Sequence, residues 1–538
     1  MTAAAAASLR KDRGTTRPFE RVLVANRGEI AVRIIRACRE LGVETVAVYS
    51  DADTDALHVR LADRSVRLGP APAAASYLDA DAIVAAALAT GAQAIHPGYG
   101  FLAERASFAR AAEEAGIIFV GPSSATIATL GDKIAARRAA AAADVPILPG
   151  TLEPFAVDAP DAIEAILVAA DRIGFPLLVK AAAGGGGRGM RRVVAPDELS
   201  AALIAGAAEA LAAFGDGAVY LEREITPARH IEVQLLGDVH GTIVAIGERD
   251  CSLQRRHQKL VEVAPAPGLA EAERRQLHAT AVRAARAVGL VNAATAEFLF
   301  DEDRRFWFLE VNTRLQVEHG VTELVSDVDM VREQLWIAAG DALSERILSA
   351  AEAASRPTRH AIEVRLSAED PARAFAPAPG TIGRWEMPSG PGVRVDTAVV
   401  AGSRVAPEYD PLIAKVMVVD ENRLAAIDRL ARALDETTVT GIQTTLPFHR
   451  YVAADPGFRA GPLSTDWVDR HWAPIAEDLR RTALGKAREA AVAAVAVDGA
   501  VDGAGSSVAH PQAATGGARD RAAWSQAGRA DAVDRWPR

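Results

Sequence analysis

Residues 297–319 read EFLFDEDRRFWFLEVNTRLQVEH and carry the most informative pattern in the chain. Two apolar runs, residues 297–300 and 306–311, flank a charged turn and predict a pair of antiparallel strands. After the turn, polar side chains occupy every second position: Glu310, Asn312, Arg314, Gln316 and Glu318. Because alternate residues of a strand share a face, we expect one polar face that extends as far as Glu318.

A face of this kind is either solvated or lines a polar cleft. Ion pairs on an exposed sheet are the simpler interpretation, but Asn312 and Gln316 are poor partners for ion pairs. Hard oxygen ligands at this spacing suit Mg²⁺ that bridges to phosphates. The pattern therefore indicates a metal and phosphate site to which Glu297 and Glu310 contribute from neighbouring strands.

The amino-terminal part of the chain has a different pattern. Residues 21–25, RVLVA, form an apolar run that leads through a turn at Gly28 into a helical pattern, and residues 45–49 predict a second strand. A strand, a helix and a strand in this order predict a parallel sheet with a right-handed crossover. We therefore predict that residues 19–131 form an open α/β domain. The sequence G-x-G-x-x-G is absent there, so we assign no dinucleotide.

The rest of the chain divides into further segments. Residues 132–335 alternate strands with helices, and about 146–225 of them read as a separate lobe. Residues 357–470 mix strands, Pro- and Gly-rich loops and a helix, so the chain is predicted to be a multidomain protein of α/β and α+β type. Residues 1–18 and 485–538 are predicted to be a disordered leader and an Ala- and Gly-rich tail.

Two motifs could contact anions. A strand that ends at Lys180 leads into the glycine run of residues 184–189, whose backbone N–H groups could approach phosphate oxygens. The run lacks the Gly-Lys-Ser/Thr ending of a P-loop, and a flexible turn would account for it equally well. Residues 251–259, CSLQRRHQK, are either a solvated basic face or a site for phosphate or bicarbonate. We interpret Cys251 as a buried thiol, because no His/Asn pairing pattern accompanies it.

The composition excludes several classes of protein. Half of the 538 residues are apolar, and 70 acidic residues against 60 basic residues give a net charge of −10. This balance argues against a nucleic-acid coat and against a protein that binds anionic membranes. No segment has the roughly 20 apolar residues of a membrane span. Two cysteines cannot build a disulfide framework, so we expect a reducing compartment, the cytoplasm.

Lysine is scarce among the basic residues. Arginine takes nearly all basic positions of the chain. The six lysines are Lys11, Lys133, Lys180, Lys259, Lys415 and Lys486. The simple explanation for the excess of arginine over lysine is a bias in the amino-acid composition of the source. A lysine that persists against this bias indicates a position where the planar guanidinium cannot replace a compact ammonium.

Taken together, the motifs resemble the biotin carboxylases of the ATP-grasp superfamily. The resemblance runs from about residue 20 to residue 470 in unbroken order. It rests on VANRGEIA at 24–31, HPGYGFL at 96–102, GDK at 131–133, residues 180–190, ERDCS at 248–252, QRRHQK at 254–259, EVAPAP at 262–267, EVNTRLQVEH at 310–319 and EVRLSAED at 363–370. The strings QRRHQK and EVNTRLQVEH are specific to biotin-dependent carboxylases.

The resemblance implies a fold and a reaction. The fold is an ATP-grasp domain between an amino-terminal α/β domain and a mixed carboxyl-terminal domain. In the reaction, ATP phosphorylates bicarbonate to carboxyphosphate, and the CO₂ that this releases is captured by N1′ of biotin. Phosphoryl transfer of this kind needs alignment and charge neutralisation more than covalent help.

The resemblance also implies roles for individual residues. ATP phosphates would be held by Lys133 and Lys180 under the backbone of Gly186 and Gly187, and the rest of the nucleotide by Glu222, Arg223, Glu224, Ile225, His230, Gln254 and His257. Mg²⁺ or Mn²⁺ would be held by Glu297, Glu310 and Asn312, and bicarbonate by Lys259, Arg314 and Val317. Glu318 would be the general base, and Arg365 would stabilise the biotin enolate and the carboxyphosphate; a simple ion pair between Arg365 and Glu363 is the alternative.

A few positions depart from the family pattern. Gly320 replaces the usual Pro, Asp327 stands where Gly is common, and Thr445 replaces a usual Asn. Because Gly320 and Asp327 lie just behind the predicted metal strand, lower activity is conceivable.

The resemblance also suggests partners. No lysine of this sequence is flanked by methionines, as the biotin acceptor of fused carboxylases is. We therefore expect a biotin carboxylase subunit, homodimeric, that acts on a separate biotin carrier protein beside a carboxyltransferase subunit, within an acetyl-CoA or propionyl-CoA carboxylase. A pyruvate carboxylase subunit, a non-catalytic nucleotide-binding scaffold and another ATP-grasp ligase are the alternatives.

Overall fold

The computed structural model describes residues 17–157, 162–182, 190–478 and 480–481. Almost all of the predicted leader, the predicted tail after residue 485, and Gly186 and Gly187 lie outside these ranges. None of the described helices is long and apolar enough to cross a lipid bilayer.

The amino-terminal part is built on a parallel sheet, as the sequence predicts. Its described strands lie in the order β3-β2-β1-β4-β5, and the bounds are β1 Arg21–Val24, β2 Glu44–Ser50, β3 Arg64–Gly69, β4 Ala94–His96 and β5 Ile118–Phe119. The strand β1 pairs with β2 and β4 in parallel register, and its residues Val22, Leu23 and Val24 are fully buried. Burial on both faces of the sheet explains why this strand reads as a continuous apolar run. The helices are α1 Gly28–Glu40, α2 Leu57–Leu61, α3 Ala80–Thr90, α4 Ala106–Glu114 and α5 Ser124–Gly131.

A small lobe with its own core follows the helix α6 Lys133–Ala142. In the described part of the lobe, an antiparallel sheet in the order β7-β6-β8 consists of β6 Leu177–Ala181, β7 Arg191–Val193 and β8 Val219–Arg223. The helices α7 Ala162–Ile173 and α8 Leu199–Phe214 belong to the same lobe. Ile166, Leu177, Val179 and Leu203 form a hydrophobic cluster there that is separate from the main core.

The largest sheet of the described chain joins the centre to the carboxyl-terminal part. Its order is β13-β12-β9-β10-β11-β14-β21-β19, with β9 Arg229–Gly237, β10 Ile243–Arg255, β11 Gln258–Ala264, β12 Asn292–Phe300, β13 Phe306–Asn312, β14 His360–Ser367, β19 Val393–Thr397 and β21 Leu412–Asp420. The strands β11 and β14 pair from Val261↔Val364 to Ala264↔Ala361, so one ladder of hydrogen bonds crosses from the central segment to the last one. The helices along it are α9 Glu271–Ala287, α10 His319–Ser326, α11 Met330–Ala338 and α12 Glu345–Ala353.

Short strands and helices complete the carboxyl-terminal part. The strands are β15 Glu369–Asp370, β16 Ala376–Pro377, β17 Gly380–Thr381, β18 Trp385–Glu386, β20 Arg404–Val405 and β22 Thr438–Val439, and the helices are α13 Arg423–Glu436, α14 Leu446–Ala454 and α15 Pro456–Ala460. Residues 467–478 are also helical. An aromatic cluster holds this part together, with ring centroids of Phe448 and Trp472 4.9 Å apart and those of Phe375 and Phe448 5.5 Å apart.

The polar face predicted to extend to Glu318 is wrong beyond Asn312. The strand β13 ends at Asn312, residues 313–318 form an irregular turn, and Glu318 is the residue immediately before α10. Glu104 of the amino-terminal part explains the departure, because it accepts hydrogen bonds from the Thr313 backbone N–H (3.2 Å) and the Arg314 guanidinium (3.0 Å). These contacts draw the chain away from the edge of the sheet.

The departures Gly320 and Asp327 have local explanations. Asp327 has φ +59°, a left-handed conformation that Gly adopts freely and that Asp tolerates better than most residues. Gly320 lies where a Cβ atom would come within 2.3 Å of the Met417 sulfur and 3.3 Å of a Glu363 oxygen. The absence of a side chain therefore lets α10 lie directly on the sheet.

We predict that Gly320→Ala lowers the Tm by a few degrees. Overpacking a filled core costs about 1–3 kcal/mol, which exceeds the roughly 1 kcal/mol that Ala gains over Gly in helix propensity. Met417→Ala removes the obstacle, so the double variant should lose less than the sum of the two single losses. Thermal unfolding of the three variants measures this coupling, and strictly additive losses would contradict the explanation.

Candidate active site

A row of glutamates crosses the central strands at one level. The register pairs Glu310 with Glu297, Glu297 with Glu232, and Glu232 with Arg249. The predicted antiparallel strands that carry Glu297 and Glu310 are thus confirmed, and the register sets the two residues opposite each other. Side chains directly opposite each other on neighbouring strands approach closely, and like charges there repel. The row therefore requires cations.

The Lys259 ammonium supplies one of these cations. Its Nζ atom lies 3.0 Å from Glu297 Oε1 and 2.6 Å from Glu318 Oε1, and it also donates to Glu232. Burial on its own would lower the pKa of Lys259, but the carboxylates of Glu232, Glu297 and Glu318 hold that pKa well above its usual range. The lysine therefore stays charged.

Arg249 supplies the second cation at the far end of the row. It is completely buried, and its Nε atom donates to Glu232 at 2.5 Å. Its other nitrogens donate to Gln234 (2.8 Å), Thr322 (2.8 Å) and Thr295 (3.2 Å). Sequence reasoning gave no role to Glu232 or Arg249. The period-two rule could have found Glu232, because His230, Glu232 and Gln234 alternate along β9.

Glu318 reaches the site from the turn before α10. Its Oε1 atom contacts Lys259, and its Oε2 atom accepts from Arg365 at 2.9 Å. Burial would raise the pKa of this carboxyl, but Lys259, Arg365 and Arg249 hold the pKa well below its usual range. Glu318 is therefore an anion between two cations, although it does not belong to the strand that was predicted to carry it.

Arg365 lies on β14 with its guanidinium shared between two carboxylates. It donates to Glu262 Oε1 at 2.6 Å and to Glu318 at 2.9 Å. Burial opposes its charge, but Glu262 and Glu318 raise the pKa of Arg365 further. The simple pair with Glu363 is not observed, because both oxygens of Glu363 lack a hydrogen-bond partner among the described residues.

The carbonyl oxygen of Arg365 is also held, by two residues of the carboxyl-terminal part. Thr445 Oγ1 donates to it at 2.8 Å and His449 Nε2 donates at 2.7 Å. The departure Thr445 thus takes part in fixing Arg365. His449 was not singled out from the sequence, and no local pattern marks it.

The predicted metal ligands meet at the outer end of the glutamate row. The Asn312 amide donates to Glu297 at 2.8 Å, which leaves its oxygen available, and Glu310 is 3.4 Å from Lys133. His230 lies 2.8 Å from the second oxygen of Glu297. Burial on its own would raise the pKa of Glu297, but Lys259 and His230 lower this pKa below its usual value. Two carboxylates on paired strands beside an amide oxygen are a donor set that fits Mg²⁺ or Mn²⁺.

The structure places the predicted nucleotide residues in two groups. Lys180 on β6 pairs with Glu222 on β8, and Glu222 also accepts from Arg137 at 2.6 Å. Of the other residues of this group predicted to hold the nucleotide, Arg223 donates to the Ile173 carbonyl (3.1 Å), Glu224 pairs with Arg192 (2.7 Å) and Ile225 is half-buried. The side chains of Glu222, Arg223 and Glu224 are thus engaged with protein groups.

The second group lies near the hairpin between β10 and β11. Gln254 is buried and pairs in register with Lys259, whereas His257 is exposed at the turn with φ +64°. Partial burial, with the positive charges of Lys180 and His230, lowers the pKa of His257. The electrostatic effect of Lys180 indicates that it lies near the hairpin.

We predict that His449→Leu weakens the loss of stability in acid. Because a carbonyl only accepts, Nε2 of His449 carries the proton, and buried Nδ1 has no partner among the described residues. Burial lowers the pKa of His449 from 6.5 to about 4 in the folded state. As the pH falls through this window, the unfolded state binds the extra proton, so folding stability is lost.

The measurement is the Tm of wild type and His449→Leu at both ends of that window. The variant lacks the titrating group, so its Tm should fall less on acidification. Equal decreases in the two proteins would contradict the assignment of a buried neutral imidazole.

Three family models match consecutive parts of the chain. They are the biotin carboxylase N-terminal domain over residues 18–127, the ATP-binding domain of the carbamoyl-phosphate synthase L chain over residues 132–346, and the biotin carboxylase C-terminal domain over residues 363–470.

Curated relatives cover the same region. The biotin carboxylase of Haemophilus influenzae is 47% identical over 452 residues, which are 84% of this chain and 98% of that protein. The biotin carboxylase of Pseudomonas aeruginosa is 48% identical over the same shares. The methylcrotonoyl-CoA carboxylase subunit alpha of Glycine max is 47% identical over 84% of this chain and 61% of that subunit.

Solved structures agree with these relatives. A biotin carboxylase complex with β,γ-ATP from Campylobacter jejuni has a TM-score of 0.80 at 42% identity, over 84% of this chain and 99% of that one. The biotin carboxylase domain dimer of Hydrogenobacter thermophilus 2-oxoglutarate carboxylase, in complex with MgADP, ADP and bicarbonate, has a TM-score of 0.79 at 43% identity, over 85% and 98%. The chain therefore belongs to the biotin carboxylase family, and it is an ATP-dependent ligase with an ATP-grasp fold.

Proposed function

We propose that this chain carboxylates biotin on a separate carrier protein, with ATP, Mg²⁺ or Mn²⁺ and bicarbonate, as the first half-reaction of an acetyl-CoA or propionyl-CoA carboxylase. The observation that carries this proposal is the chain of charges in which buried Glu318 lies between the partly buried Lys259 and Arg365, beside the Glu297 and Glu310 pair. It offers an ammonium for a small anion, a carboxylate base and a guanidinium on one surface.

Glu318 is the proposed general base. The bicarbonate proton passes to a Glu318 oxygen, and the deprotonated oxygen attacks the γ-phosphorus of ATP while ADP leaves. The low pKa of Glu318 opposes this transfer as long as Lys259 points at it. Bicarbonate competes for the Lys259 ammonium, and a weaker contact between Lys259 and Glu318 raises the basicity of Glu318 when substrate is bound.

Charge neutralisation is the second task of the site. A bound divalent ion supplies positive charge to the phosphates, and Glu297, Glu310 and Asn312 are the residues that would hold it. Lys133 pairs with Glu310, and Lys180 pairs with Glu222. Both ammonium groups can exchange these carboxylates for phosphate oxygens. The glycine run that includes Gly186 and Gly187 follows β6, on which Lys180 lies.

Arg365 serves the second step. Carboxyphosphate decomposes to CO₂ and phosphate, the phosphate takes the N1′ proton of biotin, and N1′ attacks CO₂. Negative charge develops on the biotin oxygen in this step, and a fixed guanidinium lowers its energy. Glu262 and Glu318 hold the guanidinium of Arg365. The side chains of Thr445 and His449 hold its backbone carbonyl.

The proposed assembly is a homodimer that works with a biotin carrier and a carboxyltransferase in the cytoplasm. The dimer of the related Hydrogenobacter thermophilus domain supports the oligomer. A scaffold without activity is disfavoured, because the ionic site around Glu318 is complete.

We predict that Glu318→Gln abolishes carboxylation without impairing nucleotide binding. The loss of a general base typically costs on the order of 100-fold or more in turnover. Bicarbonate-dependent ATP cleavage with free biotin measures this loss, and calorimetric titration with MgADP measures binding. Glu436→Gln, in an exposed pair with Arg432, is the matched control. Full turnover in Glu318→Gln would refute the mechanism, and wild-type turnover that ignores biotin would indicate another ATP-grasp ligase.

We predict that the carboxyl group reaches acetyl-CoA or propionyl-CoA. The chain is purified from its source together with its biotinylated partner and carboxyltransferase. Transfer of the carboxyl group from labelled bicarbonate is then followed with acetyl-CoA, propionyl-CoA and pyruvate as acceptors. Acid-stable label in malonyl-CoA or methylmalonyl-CoA would support the acyl-CoA assignment. Label in oxaloacetate would instead assign the chain to a pyruvate carboxylase.

A further inference from the structure

Lys415 is a fully buried cation that contacts the active-site turn from behind. It lies on β21, and none of its side chain is exposed. Its ammonium donates to the Val317 carbonyl at 2.8 Å. It also lies 3.2 Å from Glu29 of α1 and 3.8 Å from Asp396 of β19. One ammonium thus joins the amino-terminal part, the carboxyl-terminal part and the turn.

The turn of residues 313–318 needs such a contact. It has left the sheet, so strand hydrogen bonds no longer fix its backbone. Its outer end is held by Glu104, through Thr313 and Arg314. Its inner end is held by Lys415, at the peptide that joins Val317 to Glu318. A fixed carbonyl at Val317 determines where the Glu318 side chain begins.

The cost of burial indicates that this lysine has a specific task. A buried ammonium is expensive unless carboxylates and hydrogen bonds compensate for it. Burial would lower the pKa of Lys415, but Glu29, Glu363 and Asp396 raise it, so the group stays charged. Arginine takes nearly all other basic positions of this chain, yet a planar guanidinium would need more space than this closed site has.

We propose that Lys415 is a positioning residue for the bicarbonate-binding turn, where it holds the Val317 carbonyl so that Arg314 and Glu318 face the reacting anion. The inference rests on the proposed function, because it assigns the turn to bicarbonate. Lys415 acts on the proposed bicarbonate site indirectly, through its contact with the Val317 carbonyl. The proposed site thus includes Lys415 of β21, which lies outside the row of glutamates.

The test compares Lys415→Met and Lys415→Gln with wild type. A displaced base and anion site should reduce kcat/KM for bicarbonate on the order of 100-fold. The affinity for MgADP, measured by calorimetric titration, should stay within about twofold, because Lys133 and Lys180 lie elsewhere. The glutamine variant keeps a polar donor of similar length, so it should retain more activity and fold if the methionine variant does not.

The matched control is Arg33→Met. Arg33 is a largely buried cation of α1 in the same junction, paired with Glu323 (2.8 Å) and Asp329 (2.7 Å), and in the described part of the chain it makes no hydrogen bond or ion pair with the turn. This variant should lower the Tm and leave the KM for bicarbonate unchanged. If it reproduces the kinetic defect of the Lys415 variants, or if a folded Lys415 variant keeps wild-type kcat/KM, the inference is wrong. A wild type without biotin-dependent turnover would instead overturn the proposed function.

Discussion

Repulsion within the row Glu310, Glu297 and Glu232 is the constraint on which the site depends. Like charges on neighbouring strands repel, and the cations Lys133, Lys259 and Arg249 are placed against this row. The positive charge in this row is shared among several carboxylates. Lys259 serves Glu232, Glu297 and Glu318 together, so any new anion at its ammonium changes the charge felt by all three. A divalent ion and a small anion can therefore enter this site as a coupled pair.

The second organising feature is the helix α10 and the turn before it. Gly320 lets the helix lie on Met417 and Glu363, and Lys415 holds the preceding peptide. Glu318 then points between Lys259 and Arg365, which belong to different segments of the chain. The position of the proposed base, Glu318, is thus set by tertiary contacts rather than by a strand of its own.

Sequence reasoning succeeded where local pattern determines structure. The antiparallel strands that carry Glu297 and Glu310 followed from two apolar runs around a charged turn, and the parallel amino-terminal sheet followed from the strand, helix and strand order. It failed at residues 313–318, where the alternation of polar residues continues without a strand. Contacts from Glu104 and Lys415, both remote in sequence, decide that turn, and no local pattern records them. The orientation of Arg365 by His449 was missed for the same reason.

The shared sheet has a mechanical consequence. A continuous ladder from β13 to β19 resists shear, because sliding one strand would break every hydrogen bond along it. Glu297, Lys259 and Arg365 are thus held on one stiff platform. The lobe with β6, β7 and β8 has a separate sheet and core, and it is joined to the platform by two short chain crossings, near residues 146–150 and 224–228. A rotation of the lobe about those crossings would move Lys180 relative to the carboxylate row and leave the row itself unchanged.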